Sequence, residues 1–532
     1  MRKLLMASAA ILGASGGLAH AQVPPVPVTA NPNQGQLAAP YGAGPSANNN
    51  NNAWGVANTP TGSAAAGPLS SVIYPPNVDA VPAPGTVVIR LNVRVESDVA
   101  FEFTNLDKGL TATGAPTGYK ISPIEFGAYF RIYPGFDGLA ANGLRYGAAV
   151  EIRENFGGGT SNNGTFANGL TGPGTATGAA TGPSTTSSQE TLFVRRAFTY
   201  VAADQIGLLR LGQTDGVIGL FDPCIFTTQC WDAGIGQFNG GGGTQEFAPT
   251  NQSPPFVWLA QAGAEYDNDK VVYLSPQFYG FDFGVQYAPN QGSSFQQTGS
   301  GVACGQAAPN CEGLTSGNDA TRWINQVGFG LRYQQAFGPV DFKAYGFYET
   351  SGKENLSTSA YSTTNQARLG TVVGGVTSSA LTVRYDDLSF YKAGVAVTAF
   401  NVTAAADYIG GRVNGQLALD PTGGAPTNAV VTGLTYANGP LALGAEVGLI
   451  ETQGDARLVG LSQRHQYEVA FGGAYKLAPG FQVMAEYLYE YSHQGGYDFH
   501  TGALGAGATA TTLGRTADAQ GQGVILGTVL TW

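Results

Sequence analysis

Residues 481–492 read FQVMAEYLYEYS, and this stretch decides the fold. Phe481, Val483, Ala485, Tyr487, Tyr489 and Tyr491 share one parity, while Gln482, Glu486, Glu490 and Ser492 share the other. A period of two describes an extended strand with one apolar and one wet face. Immediately upstream, residues 465–477 repeat the pattern: Tyr467, Val469, Phe471, Tyr475 and Leu477 alternate with Gln466, Glu468, Ala470 and Lys476. Pro479-Gly480 is the short turn between them. Far upstream the alternation returns at 88–96, with Ile89, Leu91, Val93 and Val95 against Arg90, Asn92, Arg94 and Glu96. Residues 144–153 set Leu144, Tyr146, Ala148, Val150 and Ile152 against Arg145, Gly147, Ala149, Glu151 and Arg153. Strands near ten residues long match a tilted membrane crossing.

Carried along the chain, the pattern predicts sixteen strands, near 86–104, 120–133, 143–156, 188–202, 206–213, 270–278, 281–290, 324–337, 340–350, 387–399, 401–412, 428–437, 440–451, 462–476, 480–493 and 521–532. Their links alternate in length. Residues 134–142, 279–280, Gly338-Pro339 and Asn438-Gly439 are short, whereas 157–187, 214–269, 291–323, 351–386 and 494–520 are long. Short turns at one end and long loops at the other mark an all-β transmembrane barrel of antiparallel strands. Aromatics fit the same geometry. Tyr133, Phe136, Phe281, Phe337, Phe400 and Phe481 lie beside short turns, and Tyr287, Tyr348, Tyr489 and Tyr491 lie near long loops, as two interfacial girdles require.

Composition agrees. Charged residues are 11% of the chain, against about 25% in an ordinary soluble domain. Gly numbers 78, Tyr 25 and Phe 27, but Met only 3. A mean hydropathy of −0.04 suits a surface that is greasy outside and wet inside. The net charge of −11 argues against nucleic acid as a partner. Residues 1–21 read as an export signal: Arg2 and Lys3, an apolar run to Leu18, then Ala19-His20-Ala21. Residues 22–85, rich in Pro, Asn, Ala and Gly, have too little apolar content for a core and are expected to be a disordered periplasmic segment ahead of the barrel at 86–532.

Cys224, Cys230, Cys304 and Cys311 suggest two disulfides in an exported chain. Three connectivities are open, and the short spacings favour local pairing. No His lies near either pair, so no metal centre is expected. No catalytic constellation or phosphate-binding loop stands out, so neither an enzyme nor a cofactor is expected.

Two stretches resemble the general bacterial porins, especially those of alphaproteobacteria. One runs from Arg195-Arg196-Ala197-Phe198 through Gly207-Leu208-Leu209-Arg210-Leu211-Gly212-Gln213-Thr214-Asp215. The other is Val272-Tyr273-Leu274-Ser275-Pro276-Gln277-Phe278-Tyr279-Gly280-Phe281 with Gly284-Val285-Gln286-Tyr287-Ala288-Pro289. The resemblance implies a passive diffusion channel for small hydrophilic solutes, a homotrimer, and insertion by the outer-membrane assembly machinery among lipid and lipopolysaccharide. It also implies that 214–269 folds into the barrel as a constriction loop. The family's Pro-Glu-Phe-Gly-type loop tip is absent; Phe221-Asp222-Pro223-Cys224, Cys230-Trp231-Asp232 and Gly240 to Gly243 stand there instead. The closing Trp532 is similar to the terminal aromatic of the assembly signal, for which most members use Phe.

Within this frame the candidate functional residues line the pore. Parity places Arg90, Arg94, Arg131, Arg145, Arg153 and Arg210 inward. The resemblance sets them against Asp215, Asp222, Asp232 and Glu246 of the loop, across the narrowest point. Arg196 is ambiguous, because Val194, Phe198 and Tyr200 would carry it toward lipid; a bulge or an interfacial position would relieve the roughly 2–4 kcal/mol cost. Glu446, Glu468, Glu486 and Glu490 point inward on the late strands and suggest a mild cation preference. A substrate-selective channel for sugars or organic acids, and an envelope-tethering or adhesive barrel, are the alternatives.

Overall fold

A computed structural model describes residues 84–155 apart from 106–107, 111–115 and 121–122; 191–218 apart from 204–205 and 215; 269–353 apart from 277 and 291–322; 385–497 apart from 415–418, 455–457 and 479–480; and 517–531. Its elements are β1 (Thr86–Thr104), β2 (Lys108–Leu110), β3 (Pro116–Lys120), β4 (Ile124–Leu139), β5 (Arg145–Asn155), β6 (Thr191–Ala203), β7 (Gly207–Gln213), β8 (Asp269–Leu274) and β9 (Phe281–Asn290). They continue with β10 (Trp323–Phe337), β11 (Val340–Lys353), β12 (Ser389–Ala399), β13 (Val402–Arg412), β14 (Thr427–Asn438), β15 (Leu441–Thr452), β16 (Arg464–Ala478), β17 (Phe481–Gln494) and β18 (Asp518–Thr531).

Sixteen of these, β1 and β4 to β18, form one closed antiparallel barrel in which each strand pairs with its neighbour in sequence. Closure is made by β1. It pairs with β4 from Thr86↔Leu139 to Phe101↔Ile124, and with β18 from Arg94↔Thr531 to Thr104↔Gly521. A closed ring leaves no unpaired strand edge in hydrocarbon, which is the condition for spanning a membrane with strands. The sixteen predicted strands are the sixteen of the barrel. The small hairpin β2–β3 lies in the first long connection and was not anticipated.

Alternation sorts the two faces. In β16, Arg464, Gln466, Glu468, Ala470 and Ala474 are buried, while Tyr467, Val469, Phe471, Tyr475 and Leu477 are exposed on the outside. In β9, Asp282, Gly284, Gln286 and Ala288 face inward, and Phe281, Phe283, Val285 and Tyr287 outward. A row of large apolar side chains on the outside and polar ones within is the inverse of a soluble protein and fits a lipid-bathed barrel. Outward tyrosines near the long loops find polar partners: Tyr287 donates to Asn325 at 2.9 Å and Tyr408 to Asn428 at 2.8 Å. Such rings suit an interface, with an apolar body and a wet tip.

Three expectations need correction. The strand expected at 120–133 runs on to Leu139, and the turn is at Ala140–Gly143, where Ala140 N donates to Leu144 O at 2.8 Å. Pro134 lacks an amide hydrogen, and the β4–β5 ladder is interrupted between Ile132↔Ile152 and Gly135↔Ala149 without ending the strand. Tyr133 is therefore not an interfacial aromatic; it is 3% exposed and turned inward. Third, Phe198 and Tyr200 face the lumen and not lipid, because β6 carries a bulge. Glu151 pairs with Arg196 and Ile152 with Val194, leaving Arg195 as the extra residue. One added residue exchanges the faces of everything beyond it. Arg196 thus becomes the register partner of inward Glu151.

Candidate functional site: the barrel lumen

The lumen is built by the inward parity of sixteen strands. Arg94 lies opposite Arg131, and Arg131 opposite Arg153, so three predicted basic positions form one row across β1, β4 and β5. Arg90 is four residues from it along β1, opposite Gly135, and Arg145 begins β5, half-buried. Arg210 on β7 is buried, with its guanidinium 4.8 Å from the Phe198 ring and Nη1 3.4 Å from Thr214 Oγ1. Asp215, Asp222, Asp232 and Glu246, the four cysteines and Trp532 lie outside the described residues.

Glycines shape this wall. Asp137, Gly147 and Tyr200 are successive partners on β4, β5 and β6. The Tyr200 ring lies over Gly147, and its hydroxyl donates to Asp137 Oδ1. The same device recurs on β11 to β13, where Tyr345 crosses Gly394 and donates to Asp407 Oδ1. In both places a missing side chain makes room for a tyrosine to bridge two strands.

Several lumen residues escaped the sequence reading. Arg332 forks onto Asp282 through Nε–Oδ1 at 3.0 Å and Nη2–Oδ2 at 2.8 Å. Lys343 and Lys270 are buried, and Lys392 lies 3.7 Å from Asp407. Gln286 reaches across Gly328 to Glu349 at 3.4 Å, and Gln326 donates to the same carboxylate. The signal was present: Asp282 sits between Phe281 and Phe283, and Arg332 between Leu331 and Tyr333. Both charged residues thus carry the inward parity of their strands.

The predicted inward carboxylates are confirmed in place. Glu446, Glu468, Glu486 and Glu490 are buried on the lumen side of β15, β16 and β17. Glu468 is the direct partner of Glu490, and the rungs beyond them are Gly448 and Gly521. Like charges directly opposite repel. β7 and β8, which carry Arg210 and Lys270, lie eight strands around the ring from β15 and β16. The acidic strip and these two cations therefore stand on opposite walls.

The entrance of the long connection after β7 is also visible. Thr214, Val217 and Ile218 are buried, Val217 N donates to Gln286 Oε1, and Val217 packs against Gly284. A methyl built on Gly284 would come within 3.0 Å of Val217 Cγ1. The loop thus turns into the barrel at its first residues, seated on the polar cluster of Gln286, Gln326 and Glu349.

A family model described as Gram-negative porin matches residues 7–495. No curated protein sequence matches the chain. Among solved structures, the anion-selective porin from Comamonas acidovorans aligns with 14% identity over 84% of this chain and 100% of its own, at a TM-score of 0.44. The outer-membrane channel DcaP of Acinetobacter baumannii aligns with 12% identity over 85% of this chain and 99% of its own, at 0.43.

Proposed function

We propose, from the premise that the chain belongs to the Gram-negative porin family and so forms an integral outer-membrane channel for passive diffusion, that its permeants are small hydrophilic solutes and ions. The observation that carries this reading is the closed ring with its charged and amide side chains turned inward and a band of large apolar side chains outward. A charged, hydrated bore admits molecules that replace water's hydrogen bonds and penalises apolar ones.

The opposite walls supply a transverse field. Arg210 and Lys270 stand across from Glu446, Glu468, Glu486 and Glu490, and under this reading the loop that begins at Thr214 narrows the bore between them. Dipolar water and zwitterionic solutes orient in such a field. Asp215, Asp222, Asp232 and Glu246 add negative charge from the loop under this reading, with Arg94, Arg131 and Arg153 as the further basic row. The acidic strip makes the channel prefer cations. Residues 1–21 serve as the cleaved leader, residues 22–85 lie in the periplasm, and the protein assembles as a homotrimer.

Swelling of proteoliposomes in sugars of graded size tests the bore. The reading requires rapid swelling in small sugars and a size cutoff; equal exclusion of the smallest and largest sugars would overturn it.

A further inference from the structure

On the outside of the barrel, well away from the lumen, four side chains form a single transverse row. Glu451 on β15 is the register partner of His465 on β16, His465 of His493 on β17, and His493 of Asp518 on β18. The row lies at the long-loop end, one residue from the end of β15 and from the ends of β16 and β17. The whole chain has four histidines, and two of them face each other here. Direct partners on one face of an antiparallel pair keep their Cβ atoms about 4.5–5.5 Å apart.

Each imidazole is held through the same nitrogen. Asp518 Oδ1 lies 2.7 Å from Nδ1 of His493, and Glu451 Oε1 lies 3.3 Å from Nδ1 of His465. Ionised carboxylates only accept hydrogen bonds, so the proton belongs on Nδ1 and each Nε2 keeps a bare lone pair. A carboxylate behind Nδ1 is the arrangement that orients metal-bound histidines and raises their basicity. The four side chains are between 42% and 54% exposed, which leaves room at Nε2. On the membrane side the row is backed by aromatic rings. Tyr491 donates to Asp518 Oδ1, and Tyr467 stacks on Tyr491 at 5.0 Å.

We propose that His465 and His493 together bind one divalent transition-metal ion of the zinc class through their Nε2 atoms, with Glu451 and Asp518 as positioning residues. Zinc takes imidazole nitrogen at about 2.0–2.1 Å with tetrahedral geometry. No group of three or more His, Cys, Asp or Glu converges on a metal position among the described residues. The remaining two positions are therefore open to water or to an oxygen from outside the chain. Magnesium and calcium prefer all-oxygen shells and do not compete for two imidazoles. The site faces outward, so it stands or falls separately from the channel reading.

The test is titration of the refolded full-length protein in detergent with zinc chloride alone, followed calorimetrically, and with copper(II) followed by electron paramagnetic resonance. Wild type should bind one zinc per chain, unaffected by excess magnesium. His465→Gln or His493→Gln should weaken zinc at least tenfold and reduce the copper nitrogen coupling from two nuclei to one. Glu451→Gln and Asp518→Asn should weaken it by about tenfold, as loss of an orienting carboxylate does. Wild-type zinc affinity in the His465→Gln/His493→Gln double variant, or no zinc binding by wild type, would overturn the proposal.

Discussion

Replacing Gly147 with alanine tests whether a missing side chain holds the early wall of the barrel together. An added Cβ would sit 2.6 and 2.7 Å from Tyr200 Cε1 and Cζ and would also collide with the Phe136 carbonyl. Contacts that close force a movement. If the Tyr200 ring swings away, its hydroxyl bond to Asp137 is lost, which costs about 1.5–3 kcal/mol for a charged acceptor. If the backbone gives instead, overpacking costs about 1–3 kcal/mol. Either route gives a loss of about 2 kcal/mol, roughly a thirtyfold shift in the folded fraction. The assay is urea unfolding and refolding in lipid vesicles, read by the faster migration of the folded barrel on unheated gels. Tyr200→Ala removes the ring but leaves the Phe136 carbonyl in place, so on that background Gly147→Ala should lose only the part of its cost that comes from the ring. Additive losses in the two variants, or no loss at all from Gly147→Ala, would refute the bridging argument.

Asp282→Asn removes the carboxylate that Arg332 grips with two nitrogens, and the same gel assay should show a loss of about 1.5–3 kcal/mol. Glu468→Gln with Glu490→Gln removes the paired carboxylates of the acidic strip; the reversal potential in a potassium chloride gradient should move toward zero, with conductance retained. Asp420 lies in the β13–β14 connection, where burial, then Asp386, raise its carboxyl to about 7, with Arg412 opposing. Its proton is bound more tightly in the folded state, so its contribution to stability is full near pH 4 and lost as pH rises toward 7. Asp386 N donates to Asp420 O at 2.8 Å, tying this connection to the one before β12. Amide exchange at Asp386 should accordingly quicken between pH 4 and 7 beyond the intrinsic rate, and Asp420→Asn should abolish that excess.

The strands were legible in the sequence because a barrel wall has a different solvent on each face. At 481–492 and 465–477 every second residue reports which side it meets, and no tertiary detail alters that. Parity fails where the ladder carries an extra residue. Arg195 is such a residue, and its effect on Phe198 and Tyr200 follows from register with β5, which no local pattern encodes. Pro134-Gly135 misled for a related reason: a dipeptide that turns in isolation stays extended when β1 pairs alongside it. In the lumen, Glu468 and Glu490 were recognisable as inward, but their being direct partners depends on strand offset. The bridge from Tyr345 to Asp407 is invisible in the sequence, because it requires Gly394 to fall between them. The His465–His493 row is likewise invisible until the registers of β15 to β18 are known.

The central claim is that the ring closed by β1 and β18 encloses a continuous aqueous path. Planar lipid bilayers exposed to the purified protein measure this directly. The account predicts discrete upward current steps of uniform size whose conductance grows with salt concentration. A bilayer that stays as silent as a protein-free one, while gels show the barrel folded and inserted, would contradict it.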